Sequence, residues 1–229
     1  MLLALVARPL TGQELPPTPS PTPRPPGQTF VVSTLGDRAD QVPGDGVCAD
    51  ASGECTLWAA ITEANAWPGD DEITFAVSGT IVLREQLPAI ASARTAGSLR
   101  IDGGQRVTVS GNDSVRVLVV SREAEVTLSD IRIERGRAHP GGAISNDGTL
   151  TVSNSTFSNN NNNNFPGARG GAIYNTATLT ISNSTFSKNT ATSEGGAINS
   201  GGSLVAKRVL LSENVANGGG GVFHRRSAG

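Results

Sequence analysis

Carboxylates are the residues of this chain best placed to do chemistry. Asp102, Asp130 and Asp147 stand beside strand-like segments, and glycoside hydrolysis needs two such groups about 5–10 Å apart across one cleft. Only Asp130 can be aligned with later segments, and its equivalents there are Asn154, Asn183 and Arg208. That row therefore supplies no acidic pair. His139 precedes a turn with no nucleophile or second base in view, and it reads as a solvated loop histidine. A second group, Asp37, Asp40, Asp45 and Asp50 followed by Glu54, is acidic and punctuated by glycine. Oxygen-rich loops of that kind suit Ca2+, but the spacing is not that of an EF-hand, and the first reading is solvated loop charge. Cys48 and Cys55 are the two cysteines of the chain. They enclose a short loop and lack the further ligands of a zinc site, so a disulfide formed in an oxidising compartment is expected.

What would position these groups is a repeat. Gly141-Gly-Ala-Ile144, Gly170-Gly-Ala-Ile173 and Gly195-Gly-Ala-Ile198 open three units, and Gly220-Gly-Val-Phe223 begins a fourth. Each of the first three continues into a second block: Leu150 to Phe157, Leu179 to Phe186, and the drifted Leu204 to Leu211. An Asn follows three positions on, at 160, 189 and 214. A period near 25 means a stacked array. Inside a unit, Leu150 and Val152 alternate with Thr149, Thr151 and Ser153, which puts one face in a core and the other in water. No unit holds enough 3.6-periodic sequence for a helix. The expected fold is therefore all-β, a parallel β-helix of roughly six turns with about 25 residues per turn, running over 71–229. One turn alone buries too little to offset its ordering entropy, so stability must come from stacking. The three asparagines fall in register. They fit either an amide ladder or ordinary turn chemistry.

Before the array the chain changes character. Met1 to Ala7 is apolar without a basic start, which fits a remnant of a secretion signal or an ordinary tail. Pro16 to Pro26 holds seven of the 13 prolines and reads as an extended linker, so 1–28 is taken as signal remnant and spacer. Residues 29–70 are read as an N-terminal cap comprising a strand near Phe30, the cysteine loop and a short helix after Thr56. Leu57, Ala60, Ile61 and Ala64 share one face of that helix, and Trp67-Pro68-Gly69 ends it. Its task would be to cover the open apolar end of the first turn.

Two stretches resemble known families. Gly44-Asp-Gly-Val-Cys48 and Gly53-Glu-Cys-Thr-Leu-Trp-Ala-Ala-Ile-Thr-Glu-Ala-Asn65 are similar to the CSLREA domain at the front of exported bacterial β-helix proteins. The chain departs at Trp58 and Ala59, where that family usually carries Arg and Glu. The Gly-Gly-Ala-Ile and Phe-x-x-Asn units resemble the repeats of chlamydial polymorphic outer-membrane proteins. The resemblance implies a right-handed coil displayed outside the cell, often adhesive, and it carries over no catalytic residue.

A formal charge of −2 with no basic run argues against a nucleic-acid partner. No apolar stretch approaches the 18 residues of a membrane span. Relative to its sisters, the first Gly-Gly unit carries four extra residues, the run Asn159 to Asn164 followed by Phe165-Pro-Gly-Ala-Arg169. The run reads first as a low-complexity spacer. The alternative is a ligand loop in which Asn159, Asn164, Phe165 and Arg169 meet a glycan or a cell-surface protein. The chain stops one strand into a new turn, which predicts end-to-end self-association of this segment through its open edge. The residues together with the resemblance predict an exported, extracellular or cell-surface β-helix protein that is not an enzyme and works by binding or display. A pectin-degrading lyase or hydrolase and a purely structural spacer are the alternatives.

Overall fold

The computed structural model describes residues 26–225, so the apolar start and most of the proline-rich segment lie outside it. Three parallel sheets wrap one apolar core. Sheet A has seven strands: Thr29–Val32, Asp71–Phe75, Ser98–Asp102, Glu125–Ser129, Thr149–Ser153, Thr178–Ser182 and Ser203–Lys207. Sheet B has six, from Gly79–Val82 to Leu210–Ser212, and sheet C five, from Leu118–Val120 to Val222–His224. From Ser98 onward the chain visits A, B and C in order and then repeats, and the whole is a β-solenoid of about six turns and ~26 residues per turn.

Register follows the alternation read from sequence. Leu150 pairs with Leu179 and Leu179 with Leu204, while Phe157, Phe186 and Leu211 align in sheet B. Leu150, Leu179, Phe157 and Phe186 are fully buried. In the last described turn Leu204 is only partly buried against the core and Leu211 is 39% exposed.

Each turn bends through left-handed corner residues. Asp130, Asn154, Asn183 and Arg208 lie between sheets A and B at φ +49° to +54°; Arg135, Asn159, Lys188 and Glu213 follow sheet B at +51° to +56°. Asn and Asp tolerate this conformation better than most residues. The Gly-Gly pairs have two different requirements. Gly170 has φ +67°, and a Cβ on its neighbour Gly171 would sit 2.0 Å from the Gly196 carbonyl of the next turn. The first glycine serves the bend and the second the close approach of turns.

Two polar ladders run inside the coil. Asn160 donates through Nδ2 to Asn189 Oδ1 at 2.9 Å, and Asn189 donates likewise to Asn214 at 2.9 Å. The same Oδ1 atoms accept the Asn160 and Asn189 backbone N–H groups at 3.0 Å. The register of these asparagines thus reflects an amide ladder and not turn chemistry alone. A second ladder, absent from the sequence reading, links Asn146 to Asn175 at 2.6 Å and Asn175 to Ser200 Oγ at 2.9 Å. Such chains satisfy buried groups that a tight corner would otherwise strand.

The helix Leu57–Ala66 packs against the first two strands of sheet A. Thr56 caps it, with Oγ1 accepting from Ala59 N at 2.9 Å and donating to Arg38 O at 2.6 Å. The extended Trp67 ahead of Pro68 ends it. Leu57, Ala60, Ile61 and Ala64 are buried, as the helical face predicts.

Candidate functional site

The cap is held from inside by a carboxylate. Glu63 is fully buried and accepts the backbone N–H groups of Gly44 at 2.6 Å and Gly46 at 2.8 Å. Charge-assisted bonds of this kind fix a loop firmly, and here they tie the Gly44-Asp-Gly46 stretch to the helix. Cys48 and Cys55 are joined by a disulfide with Cα atoms 5.0 Å apart. Reducing it is expected to lower stability by about 2.5 kcal/mol on loop-closure grounds, which urea unfolding with and without dithiothreitol would measure. Two titratable thiols in native, unreduced protein would show that the bridge does not form.

The acidic residues of the cap each serve nearby backbone. Asp37 Oδ2 accepts from Arg84 N at 2.7 Å, Asp40 from Val42 N at 2.8 Å and Ala49 N at 3.2 Å, and Asp45 from Val47 N at 2.8 Å. Asp50 accepts from the Ser52 backbone and hydroxyl at 2.8 and 2.6 Å, and the hydroxyl bond holds its pKa below the usual carboxylate value. Burial pushes Asp37 the other way. Among the described residues no group of three or more His, Cys, Asp or Glu side chains is placed to hold a metal ion. Asp40, Asp45 and Asp50 each close a local turn on the N–H two residues on, whereas Asp37 ties the cap to the distant backbone of Arg84.

The three carboxylates considered for hydrolysis are likewise engaged. Asp102 pairs with Arg100 at 2.7 Å and accepts from Gly104 N at 3.0 Å; Asp130 accepts from Gln105 Nε2 at 3.0 Å. Asp147 lies at a different corner, between sheets C and A, and accepts from the Thr176 hydroxyl.

The extra residues after Phe157 form a clasped loop. Asn162 is fully buried and donates to the carbonyls of Arg169 at 2.7 Å and Gly170 at 3.1 Å, closing the loop on itself. Phe165 is 39% exposed and stacks on His139 with ring centroids 5.9 Å apart. His139 thus has an aromatic partner that its sequence context did not reveal. Arg169 lies 3.2 Å from a Glu194 carboxylate oxygen. Asn159 occupies a corner on sheet B and Asn164 is exposed. The structure therefore brings Phe165 to His139 and Arg169 to Glu194, and it does not gather the four loop residues into one site.

The turn that begins at Asn183 carries an exposed corner, the buried Phe186, the ladder residue Asn189 and the Gly195-Gly196 pair. Comparison with known families decides what this turn resembles. Residues 183–201 match the Chlamydia polymorphic membrane protein repeat. No curated protein and no solved structure matches the chain. The preceding turn repeats the same set as Asn154, Phe157, Asn160 and Gly170-Gly171. No helix among the described residues is long and apolar enough to cross a membrane.

Proposed function

We propose that this chain is an exported protein whose β-solenoid is displayed at the bacterial cell surface, where it binds other molecules without catalysing a reaction. The match of residues 183–201 to a polymorphic membrane protein repeat carries the reading. The cap disulfide suits an oxidising exterior. One outward row of sheet A carries Thr127, Thr151 and Thr180 on successive turns, between Arg100 and the exposed Val205. They form a long face suited to contact and not a closed cleft. The candidate carboxylates are spent on neighbouring backbone and side chains.

Antibody against the full chain should label intact cells of the producing organism, and a short protease treatment of intact cells should remove that label. Labelling confined to permeabilised cells would overturn surface display. The clasped loop calls for a gentler test than deletion, because removing 159–169 would also remove Asn160 from the interior ladder. Phe165→Ala leaves the ladder whole and tests the His139–Phe165 face in any cell-binding assay.

A further inference from the structure

A polar groove of about 500 Å3 follows the corner between sheets A and B, and its walls come from four successive turns. Gln105 and Arg106 come from the turn that begins at Ser98, Arg132 from the next, Asn154 and Thr156 from the third, and Asn183 from the fourth. Its floor is the buried apolar pair Val107 and Ile131. None of the chemistry described above uses it.

The charges in the groove are unbalanced. Asp130 is the single carboxylate in the lining, and Gln105 already donates to it. Arg106 and Arg132 are exposed, and neither has an ion pair or a side-chain hydrogen bond among the described residues. The Arg106 guanidinium lies over Gly104, close to where a Cβ would stand. Arg132 is flanked in register by Thr108 on one strand and Thr156 on the other. Glu134 sits two residues further along the same strand and outside the lining. Beyond the guanidinium pair comes a row of amides, Asn154 and Asn183, joined at 3.3 Å, with Arg208 donating to Asn183 Oδ1 at 2.5 Å. The lining thus offers anion-binding forks at one end, hydroxyls beside them and amides beyond.

We propose that this groove binds a linear anionic glycan, with carboxylate or sulfate groups on the Arg106 and Arg132 guanidinium forks and sugar hydroxyls on the Thr and Asn rows. Guanidinium meets carboxylate and sulfate oxygens through paired N–H donors. Neighbouring strands are about 4.8 Å apart, close to the rise of one pyranose unit in an extended chain, so a polymer along the axis meets an equivalent row at each turn. The proposal rests on the binding reading above and assigns it a ligand class.

Binding of the full chain to polygalacturonate oligomers, heparin oligosaccharides and neutral cello-oligosaccharides, measured by calorimetry at low and moderate salt, tests it. At least one acidic glycan should bind and the neutral one should not. The double variant Arg106→Ala/Arg132→Ala should weaken binding by about tenfold or more, whereas Arg122→Ala, an exposed arginine outside the groove, should leave it within about twofold. Preference for polygalacturonate identifies carboxylate as the recognised group, and preference for heparin identifies sulfate. The proposal is overturned if neither acidic glycan binds, if the double variant, checked for folding by circular dichroism, binds as well as the parent, or if a single-stranded oligonucleotide of similar charge binds equally well. Surface labelling of cells is indifferent to all of these outcomes, so the groove can fail while surface display stands.

Discussion

Phe186→Ala is expected to destabilise the chain by about 3–5 kcal/mol. Phe186 is fully buried, aligned with Phe157 before it and Leu211 after it, and stacked on Phe157 with ring centroids 4.7 Å apart and planes 4° apart. Its loss opens a cavity between two turns that fixed inter-strand hydrogen bonds prevent from closing. Ring stacking adds about 0.5–1.5 kcal/mol to what burial alone contributes. Thr180 faces outward from the neighbouring sheet, and Thr180→Ala should cost under about 0.5 kcal/mol. Equilibrium urea unfolding of both variants decides the matter. Similar shifts for the two would mean that the inward and outward rows have been exchanged.

The second large effect belongs to the interior amides. In Asn189→Leu the volume is nearly kept, yet the Phe157 carbonyl and the Asn160 backbone N–H lose their partners on Asn189. Each stranded buried group costs about 1–3 kcal/mol, so about 2–6 kcal/mol is expected in all. Asn183→Gly is the comparison. That corner is exposed at φ +49°, a conformation glycine accepts freely, and the change should stay within about 0.5 kcal/mol. An Asn189→Leu protein as stable as its parent would show that the ladder is incidental to the core.

Much of this architecture was legible because a strand has a period of two and the array a period near 25. Leu150, Leu179 and Leu204 could be placed on one row from sequence, and so could the corner series Asp130, Asn154, Asn183 and Arg208. The earliest turns resisted because their Gly-Gly markers are missing. The structure places their sheet A strands at Asp71, Ser98 and Glu125. The second ladder was hidden because Asn146 and Asn175 look like turn residues and its third rung is a serine. Glu63 was hidden for a different reason: a carboxylate in a short helix is ordinarily wet, and only folding brings Gly44 and Gly46 to it. The groove could not be seen at all, since Arg106, Arg132 and Asn154 meet only once the turns without markers are stacked in register.

The hydrogen bonds between turns run along the coil axis, strand over strand, in all three sheets. Tension applied between the two ends of the coil therefore loads one layer of bonds at a time and leaves the layers behind it untouched. The coil would peel and not shear. Each released turn of about 25 residues would add roughly 85 Å of slack chain. A coil tethered at both ends would on this geometry lengthen in steps, with each surviving layer left as the template for the next turn to pair on.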